Sequence, residues 1–397
     1  MAKSKSLNTS KTETVAAVAA TKTTEVTKPS PIGETVVTPM QELGVAGVKE
    51  SGNINSKPRF IVESGAVINS KSGFKKKLLC DGLTFTAGHA CAFSCKFCYV
   101  EAMIFKKIKR LQAISKERNL KFEEMCVEIG DAPAKARKYL TRNGKPRFDD
   151  VNDNRVIFAS PLVDVAATMS QVNTTVEICT AILELTHWQI RLLSKSPLLV
   201  EVAKRIPVQY KNRVIYGLST GTMDSDLAKA FEIGTGLVSK RLAALKWLQE
   251  NGYRTYAMVC PILPQTDYDA FAQSVVKQID IGKCEHVWAE IMNVRGDSLT
   301  ATVQALRDAG RVDEADLLKK IANDKSAWEQ SARQTFEALA QVIPGDKLRF
   351  LQYVNAKSQA WWTDRQEQGA VVLAKKRRKS KAAGKADNKA LAVVAES

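Results

Sequence analysis

Short, apolar, β-branched runs alternate with helical periodicity through most of this chain, which limits the folds available to it. Such alternation predicts an α/β fold with a parallel sheet, whose strands end together at one ligand-binding edge. Apolar spacing favours helices at about 171–187, 198–205, 224–231, 237–251 and 268–282, and again at 299–309, 311–323 and 326–342. The predicted strands are Leu83–Thr86, Val156–Ala159, Ile190–Leu193, Val214–Leu218, Thr255–Ile262, Val287–Met292 and Leu348–Val354.

Three cysteines follow the first predicted strand in a CxxxCxxC spacing: Cys91, Cys95 and Cys98. Three thiolates at this spacing can bind three irons of a [4Fe-4S] cluster and leave the fourth iron open. Most electron-transfer clusters have four cysteine ligands instead. An open iron can bind a substrate or cofactor directly, so the motif predicts a catalytic cluster.

A zinc site is the main alternative for these cysteines. Structural zinc takes four Cys or His ligands, usually as two separated pairs. His89 could supply a fourth ligand, but the sequence has no second CxxC or HxxxH pair. The spacing therefore favours a cluster over zinc, and a trio of buried structural cysteines is less favoured still.

The cysteine motif, with an aromatic residue before its last cysteine, resembles that of the radical S-adenosylmethionine (radical SAM) superfamily. Further short motifs follow the later strands in the order found in the spore photoproduct lyase-related, or DNA-repair-photolyase-like, branch. The resemblance covers about residues 80–295. The later motifs are Ser160–Asp164, Leu193–Ser196, Gly217–Thr220, Phe231–Thr235 and Pro261–Pro264.

This resemblance implies a partial (βα)6 TIM barrel of the radical SAM type over residues 56–295, with a basic insertion at 103–150. A helical extension is expected at 296–370. Composition predicts disordered termini, at 1–55 and in a basic tail at 371–397, because neither shows a helical or strand period.

The resemblance also assigns cofactor contacts. Phe97 and Tyr99 would lie beside S-adenosylmethionine, and Lys195, Ser219 and Ser160 would contact its polar groups. Asp164 and Glu232 are either orienting groups or helix N-caps.

The chain departs from the family at the hydrogen-atom donor. The lyase uses a cysteine shortly before the aspartate that follows the second strand, where this chain has Pro161 or a neighbour. Cys260 is the candidate donor here, because it ends the fifth strand and should face the barrel mouth. Cys126 and Cys179 are further candidates, although a buried free cysteine is commonly only a small hydrophobe.

Charge bears on partners. The chain carries a formal net charge of +17, and residues 103–150 contain 13 basic and seven acidic side chains. Such an excess beside the predicted site favours a nucleic-acid partner, although charge runs also serve solubility alone. No stretch of about 18 apolar residues predicts a membrane span. Scattered cysteines and exposed cluster thiolates predict a reducing, cytoplasmic location.

The expected function is therefore that of a radical SAM enzyme. By resemblance, a reductant such as flavodoxin supplies one electron to a [4Fe-4S] cluster, and S-adenosylmethionine is cleaved to a 5′-deoxyadenosyl radical for hydrogen abstraction. Nucleic acid or a nucleotide is the expected substrate. The alternative is a nucleic-acid-binding protein with a structural or redox-sensing cluster, which would recruit a fourth ligand such as His89 or Cys80.

Overall fold

The computed structural model describes residues 57–374, except for residues 64, 160 and 295. Eight parallel strands form its main sheet and lie side by side in chain order. They are β1 (Leu83–Phe85), β2 (Val156–Ala159), β3 (Gln189–Ser194), β4 (Val214–Thr220), β5 (Arg254–Ile262), β6 (Cys284–Ile291), β7 (Leu348–Val354) and β8 (Ala370–Ala374).

The α/β fold class is confirmed, since each of the seven predicted strands is present within a few residues. The first six strands correspond to the six expected units of the partial barrel. The sheet has more than the six expected strands. β7 and β8 extend it on one side, and the two-residue strand Ile68–Asn69 pairs antiparallel with β1 on the other. Within the described residues these two outer strands do not pair with each other, so the barrel is open.

One boundary predicted from the sequence is wrong. The basic tail was expected from residue 371, but residues 371–374 continue β8, whose register places Val371 opposite Leu351 of β7. The expected disordered segment 1–55 and the basic run after residue 374 lie outside the described residues.

Helices cover the sheet where periodicity predicts them. Local capping fixes several of their starts. Thr168, for example, accepts a hydrogen bond from the Gln171 amide and caps the first helix after β2. The helices after β2 are Met169–Leu185, Leu199–Arg205, Ser225–Phe231, Val238–Glu250, Tyr268–Gln278, Ser298–Asp308, Val312–Asn323, Lys325–Val342 and Gln359–Thr363.

The insertion at 103–150 is more than a solvated helical segment. It contains the helices Lys109–Arg118 and Ala132–Leu140, but also the strand Cys126–Ile129. This strand pairs in parallel with Arg59–Val62 and antiparallel with Gly88–Ala90, which forms a second, three-stranded sheet. Because Gly88–Ala90 leads directly into Cys91, the insertion supports the cysteine loop through backbone hydrogen bonds.

Aromatic side chains fill the barrel interior below the strand ends. Phe158, Tyr256 and Trp288 are all at most 1% exposed, and the Tyr256 and Trp288 rings meet edge to face at 5.2 Å. Arg191 closes the floor: its guanidinium donates to the Leu79 carbonyl oxygen at 2.8 Å and lies 4.9 Å from the Trp288 ring centre. The cavities lined by the cysteines and by Cys260 lie above this layer, at the carboxyl ends of the strands.

No helix among the described residues is both long and apolar enough to cross a membrane.

Gly217→Ala should destabilise the barrel. A Cβ atom at Gly217 would overlap the Tyr256 ring, which packs against the bare glycine backbone. Overpacking of this kind costs about 1–3 kcal/mol of unfolding free energy, measurable by chemical denaturation. Gly73→Ala is the matched control, because no atom lies within 4 Å of a Cβ built there. Equal stability of the two variants would contradict the proposed packing.

Candidate functional site

The three cysteines lie on one short loop at the carboxyl ends of the strands. Cys91 follows the strand Gly88–Ala90, and Cys95 belongs to the two-residue strand Ser94–Cys95. The Cys98 amide donates to the Cys95 carbonyl oxygen at 3.1 Å, and the helix Val100–Ile104 begins two residues later. All three cysteines line a cavity of about 320 Å³ and also border a second cavity of about 190 Å³ on the barrel side.

Two groups outside the loop hold it in this shape. The Lys57 ammonium donates to the carbonyl oxygens of Cys91 and Phe93 at 3.2 and 2.6 Å. The Asp164 amide points at the Cys91 sulfur at 3.4 Å. Hydrogen bonds to sulfur of this type are among the means by which proteins tune iron–sulfur clusters.

The chemistry of this donor set fits three ligands to one cluster. Three thiols from one half-buried loop line a common cavity. Burial raises the pKa of each thiol, to about 12 for Cys91 and well above its ordinary value for Cys95. The described residues contain no group of three or more His, Cys, Asp or Glu side chains arranged to hold a single metal ion.

The suggested fourth ligands lie elsewhere. Neither His89 nor Cys80 lines the two cavities that the three thiols share. The His89 ring packs against Gly65, and Cys80 belongs to the barrel-interior cluster. Cys126 is closer: it is buried in a small apolar cluster with Cys91 and Cys95, although it borders neither cavity.

Two polar side chains from the ends of neighbouring strands converge on one atom: Lys195 directly follows β3, and Ser219 is the next-to-last residue of β4. The Lys195 ammonium donates to the Cys260 carbonyl oxygen at 3.0 Å, and the Ser219 hydroxyl donates to the same oxygen at 3.1 Å. Both residues line the 190 Å³ cavity together with the three cysteines. The structure thus brings together a lysine, a hydroxyl and three thiols that are far apart in sequence.

The two predicted aromatic contacts border the same cavity. The Phe97 ring centre lies 5.3 Å from the Lys195 ammonium and 5.7 Å from the Phe231 ring centre. The Tyr99 hydroxyl donates to the Pro161 carbonyl oxygen at 3.2 Å. Ser160, the remaining predicted contact, lies outside the described residues.

Asp164 is an orienting group rather than a helix N-cap. Its carboxylate accepts hydrogen bonds from the Ser194 hydroxyl and the Lys195 amide, both at 2.7 Å, and from the Ala166 amide at 2.8 Å. Burial raises its pKa above the ordinary value despite these three donors. Asp164 therefore ties the loop after β2 to the end of β3.

Glu232 is not an N-cap either, because it follows the carboxyl end of the helix Ser225–Phe231. Its carboxylate lies between two cations, 2.6 Å from the Lys195 ammonium and 2.6 Å from the Arg241 guanidinium. Burial opposes ionisation of Glu232, but Lys195 and Arg241 outweigh it and hold its pKa below the ordinary value.

A larger cavity of about 540 Å³ adjoins the 190 Å³ cavity, and Cys260, Tyr99 and Phe97 line both. Its charged lining residues are Lys77 and Glu290, which form an ion pair with 2.7–2.8 Å between the Lys77 nitrogen and the carboxylate oxygens. Burial disfavours the charged Lys77, but Glu290 outweighs it and raises the pKa of the lysine.

Sequence reasoning missed this ion pair. Glu290 could have been found, because it is the single acidic residue near the end of an otherwise apolar predicted strand, Val287–Met292. Lys77 could not, since it is the last of three consecutive lysines, and only the fold turns it inward.

The three candidate donor cysteines differ in whether they border a cavity. Cys260 borders both the 190 and the 540 Å³ cavities. Cys179 is fully buried in the main hydrophobic core, and Cys126 lies behind the cysteine loop. The geometry therefore leaves Cys260 as the candidate that faces the cavities.

Comparisons with known proteins give matches at the level of solved structures. No family model matches the chain, and no curated protein matches it. The structure is similar to spore photoproduct lyase with bound AdoMet and dinucleoside spore photoproduct (TM-score 0.44, 13% identity), over 63% of this chain and 66% of that chain. The match thus spans just under two thirds of the lyase chain.

A second similar structure is native anSMEcpe with bound AdoMet, with a TM-score of 0.33 and 13% identity over 57% of this chain and 59% of that chain.

Asp164→Ala should destabilise the protein because it leaves three buried donors without their acceptor. Each unsatisfied buried donor costs about 1–3 kcal/mol, and partial rearrangement should bring the total loss of unfolding free energy to about 2–4 kcal/mol. Chemical denaturation measures it. Asp150→Ala, at an exposed position, should change stability by less than about 0.5 kcal/mol. Equal effects at both positions would show that the Asp164 hydrogen bonds contribute little.

Proposed function

We propose that this protein is a radical SAM enzyme. The observation that carries the proposal is the cavity bordered by Cys91, Cys95 and Cys98 on one side and by Lys195 and Ser219 on the other. A ligand between them would touch a cluster and a cationic, hydroxylated wall together. When bound, a [4Fe-4S] cluster and S-adenosylmethionine supply one-electron chemistry that leads to hydrogen abstraction from a substrate C–H bond.

The protein's own side chains have distinct tasks in this proposal. The three cysteines hold three irons and leave the fourth for the cofactor. Lys195 and Ser219 bind the polar groups of S-adenosylmethionine, and the Phe97 and Tyr99 rings provide apolar walls. Ser160, which directly precedes the cavity residue Pro161 in the sequence, is a further proposed contact.

The 540 Å³ cavity is the proposed substrate site, and Cys260 is the proposed hydrogen-atom donor in its wall. Burial raises the pKa of Cys260 to about 12, so its sulfur keeps its hydrogen at neutral pH. A neutral S–H group, rather than a thiolate, is the form that can donate a hydrogen atom. The apolar aromatic lining also helps to exclude water from the reaction.

Nucleic acid or a nucleotide is the proposed substrate class. Directly after the cysteine loop, seven basic side chains are exposed, and one of them, Lys106, also lines the cysteine cavity. Positive charge beside the opening would attract a phosphate backbone. The exposed basic residues are Lys106, Lys107, Lys109, Arg110, Lys116, Arg118 and Lys121.

The proposal includes a one-electron reductant such as flavodoxin and a reducing, cytoplasmic setting in which the thiolates survive. Both follow from the proposed cluster chemistry.

One observation favours a second candidate function. Cys126 packs beside Cys91 and Cys95, so among the described cysteines outside the loop it is the candidate for a fourth thiolate. A cluster closed in this way would be structural or redox-sensing, and the protein would bind nucleic acid without radical chemistry.

Anaerobic reconstitution tests the enzyme directly. The wild-type protein with S-adenosylmethionine and dithionite should form 5′-deoxyadenosine, whereas the triple variant Cys91→Ala/Cys95→Ala/Cys98→Ala should form none, because the cluster has lost its ligands. Chromatography of the quenched reaction measures the product. A wild-type protein with a fully loaded cluster and no 5′-deoxyadenosine would overturn the proposed activity.

Cys126→Ala is the matched variant that separates the two functions. In the enzyme it should keep its iron content and its 5′-deoxyadenosine yield, since three ligands suffice. In a structural cluster with four thiolates, Cys126→Ala should lose as much iron as the variant Cys98→Ala is expected to lose.

Nucleic-acid binding should depend steeply on salt if phosphate contacts drive it. Titration of a fluorescent single-stranded oligonucleotide between about 50 and 200 mM salt should give a negative slope of log affinity against log salt. Each contacted phosphate contributes about −0.7 to this slope. The variant Lys106→Ala/Lys107→Ala/Lys109→Ala should make this slope shallower. Lys246→Ala, on the helix Val238–Glu250, should leave the slope unchanged. A flat slope would point to a small molecule or protein substrate.

A further inference from the structure

Among the described residues, Glu232 is the carboxylate that pairs with both Lys195, which lines the 190 Å³ cavity, and Arg241. This 190 Å³ cavity is the proposed cofactor cavity. The Glu232 side chain is fully buried, as is that of Arg241, while Lys195 is 14% exposed. Two cations so close to each other repel in a low-dielectric interior unless a carboxylate lies between them. Glu232 therefore fixes where the Lys195 ammonium can be.

The same residue is joined to the cysteine loop through its backbone. The strand Glu232–Ile233 pairs antiparallel with Ser94–Cys95, and the register places Glu232 opposite Cys95. Beside this pair, the Lys96 amide donates to the Phe231 carbonyl oxygen at 2.9 Å. A movement of the Glu232 backbone thus moves one of the three cysteines.

Arg241 extends the connection to β4. Its guanidinium donates to the Ser219 carbonyl oxygen at 2.9 Å and to the Gly236 carbonyl oxygen and the Thr235 hydroxyl, both at 2.6 Å. The Ser219 hydroxyl and the Lys195 ammonium meet at the Cys260 carbonyl oxygen. One carboxylate therefore links the cluster loop, the lysine and the serine.

We propose that Glu232 is a positioning residue that sets Lys195 and Ser219 in register with the cysteine loop, so that S-adenosylmethionine meets both together. This inference rests on the proposed radical SAM function. Glu232 acts through Lys195 and Arg241 and does not itself border the cofactor cavity. Its length matters as well as its charge, because it reaches both cations at 2.6 Å.

Glu232→Asp tests this role while it keeps the buried negative charge. The shorter side chain cannot reach both cations, so the dissociation constant of S-adenosylmethionine for the cluster-loaded protein should rise at least tenfold by calorimetry. The change that S-adenosylmethionine causes in the electron paramagnetic resonance spectrum of the reduced cluster should weaken in parallel. Iron content and the thermal midpoint serve as folding controls.

The matched control is Glu285→Asp. Glu285 also forms an ion pair with an arginine, with 2.5 Å between its carboxylate oxygen and Arg254 Nε. It lies near the amino end of β6, whereas the site lies at the carboxyl ends of the strands, and it borders none of the three cavities at the site. The Glu285→Asp variant should bind S-adenosylmethionine with the same affinity as the wild type. Because part of the effect of Glu232 runs through Lys195, the double variant Glu232→Asp/Lys195→Ala should lose less affinity than the sum of the losses in the two single variants.

The outcomes separate the two levels of inference. A wild-type protein that binds S-adenosylmethionine and a Glu232→Asp variant with unchanged affinity would overturn the positioning role alone. Additive losses in the double variant would overturn it too, since they would show that Glu232 acts independently of Lys195. A cluster-loaded wild type that binds no S-adenosylmethionine would overturn the proposed function and this inference with it. If Glu232→Asp fails to fold, Arg241→Lys is the second variant. It keeps the positive charge but loses the planar guanidinium with its several donors, and it should show the same loss of affinity.

Discussion

The meeting of all parallel strand ends at one edge is the constraint on which the site depends. Because β1 to β6 run the same way, the loops that follow them share one face, and residues separated by more than a hundred positions become neighbours. The aromatic layer of Phe158, Tyr256 and Trp288 closes the other side. Charged groups that enter the remaining space lose water, so they survive there only in pairs such as Lys77 with Glu290 and Lys195 with Glu232.

Most of the sheet was predictable because β1 to β7 are short apolar runs that are largely buried on both faces. Seven such runs stand out in the sequence, and β4, for example, is buried at every position. β8 escaped because its apolar residues lie directly beside the basic run that begins at Lys375, whose composition suggests a tail. Cys126–Ile129 escaped because four residues with an internal glutamate give too little periodicity, and only pairing with two distant strands makes them a strand.

The candidate site was predictable where spacing or strand position carries the information. Cys91, Cys95 and Cys98 are identified by spacing. Lys195 and Ser219 are identified by the family resemblance, which assigns roles to residues at the ends of two strands. The roles of Glu232 and Asp164 needed coordinates, since an acidic residue after a strand or helix reads equally well as a cap. The proximity of Cys126 to the cysteine loop was also invisible, because it depends on how the insertion folds back.

That folding back has a consequence for how the insertion can be regarded. Its strand Cys126–Ile129 is the central member of the three-stranded sheet, between Arg59–Val62 and the strand that leads into Cys91. The insertion is thus a structural partner of the cysteine loop and not an accessory module attached to a complete barrel. A truncation that removed it to strip away positive charge would also remove the hydrogen-bonded backing of Cys91, so shortened relatives would need another element in its place.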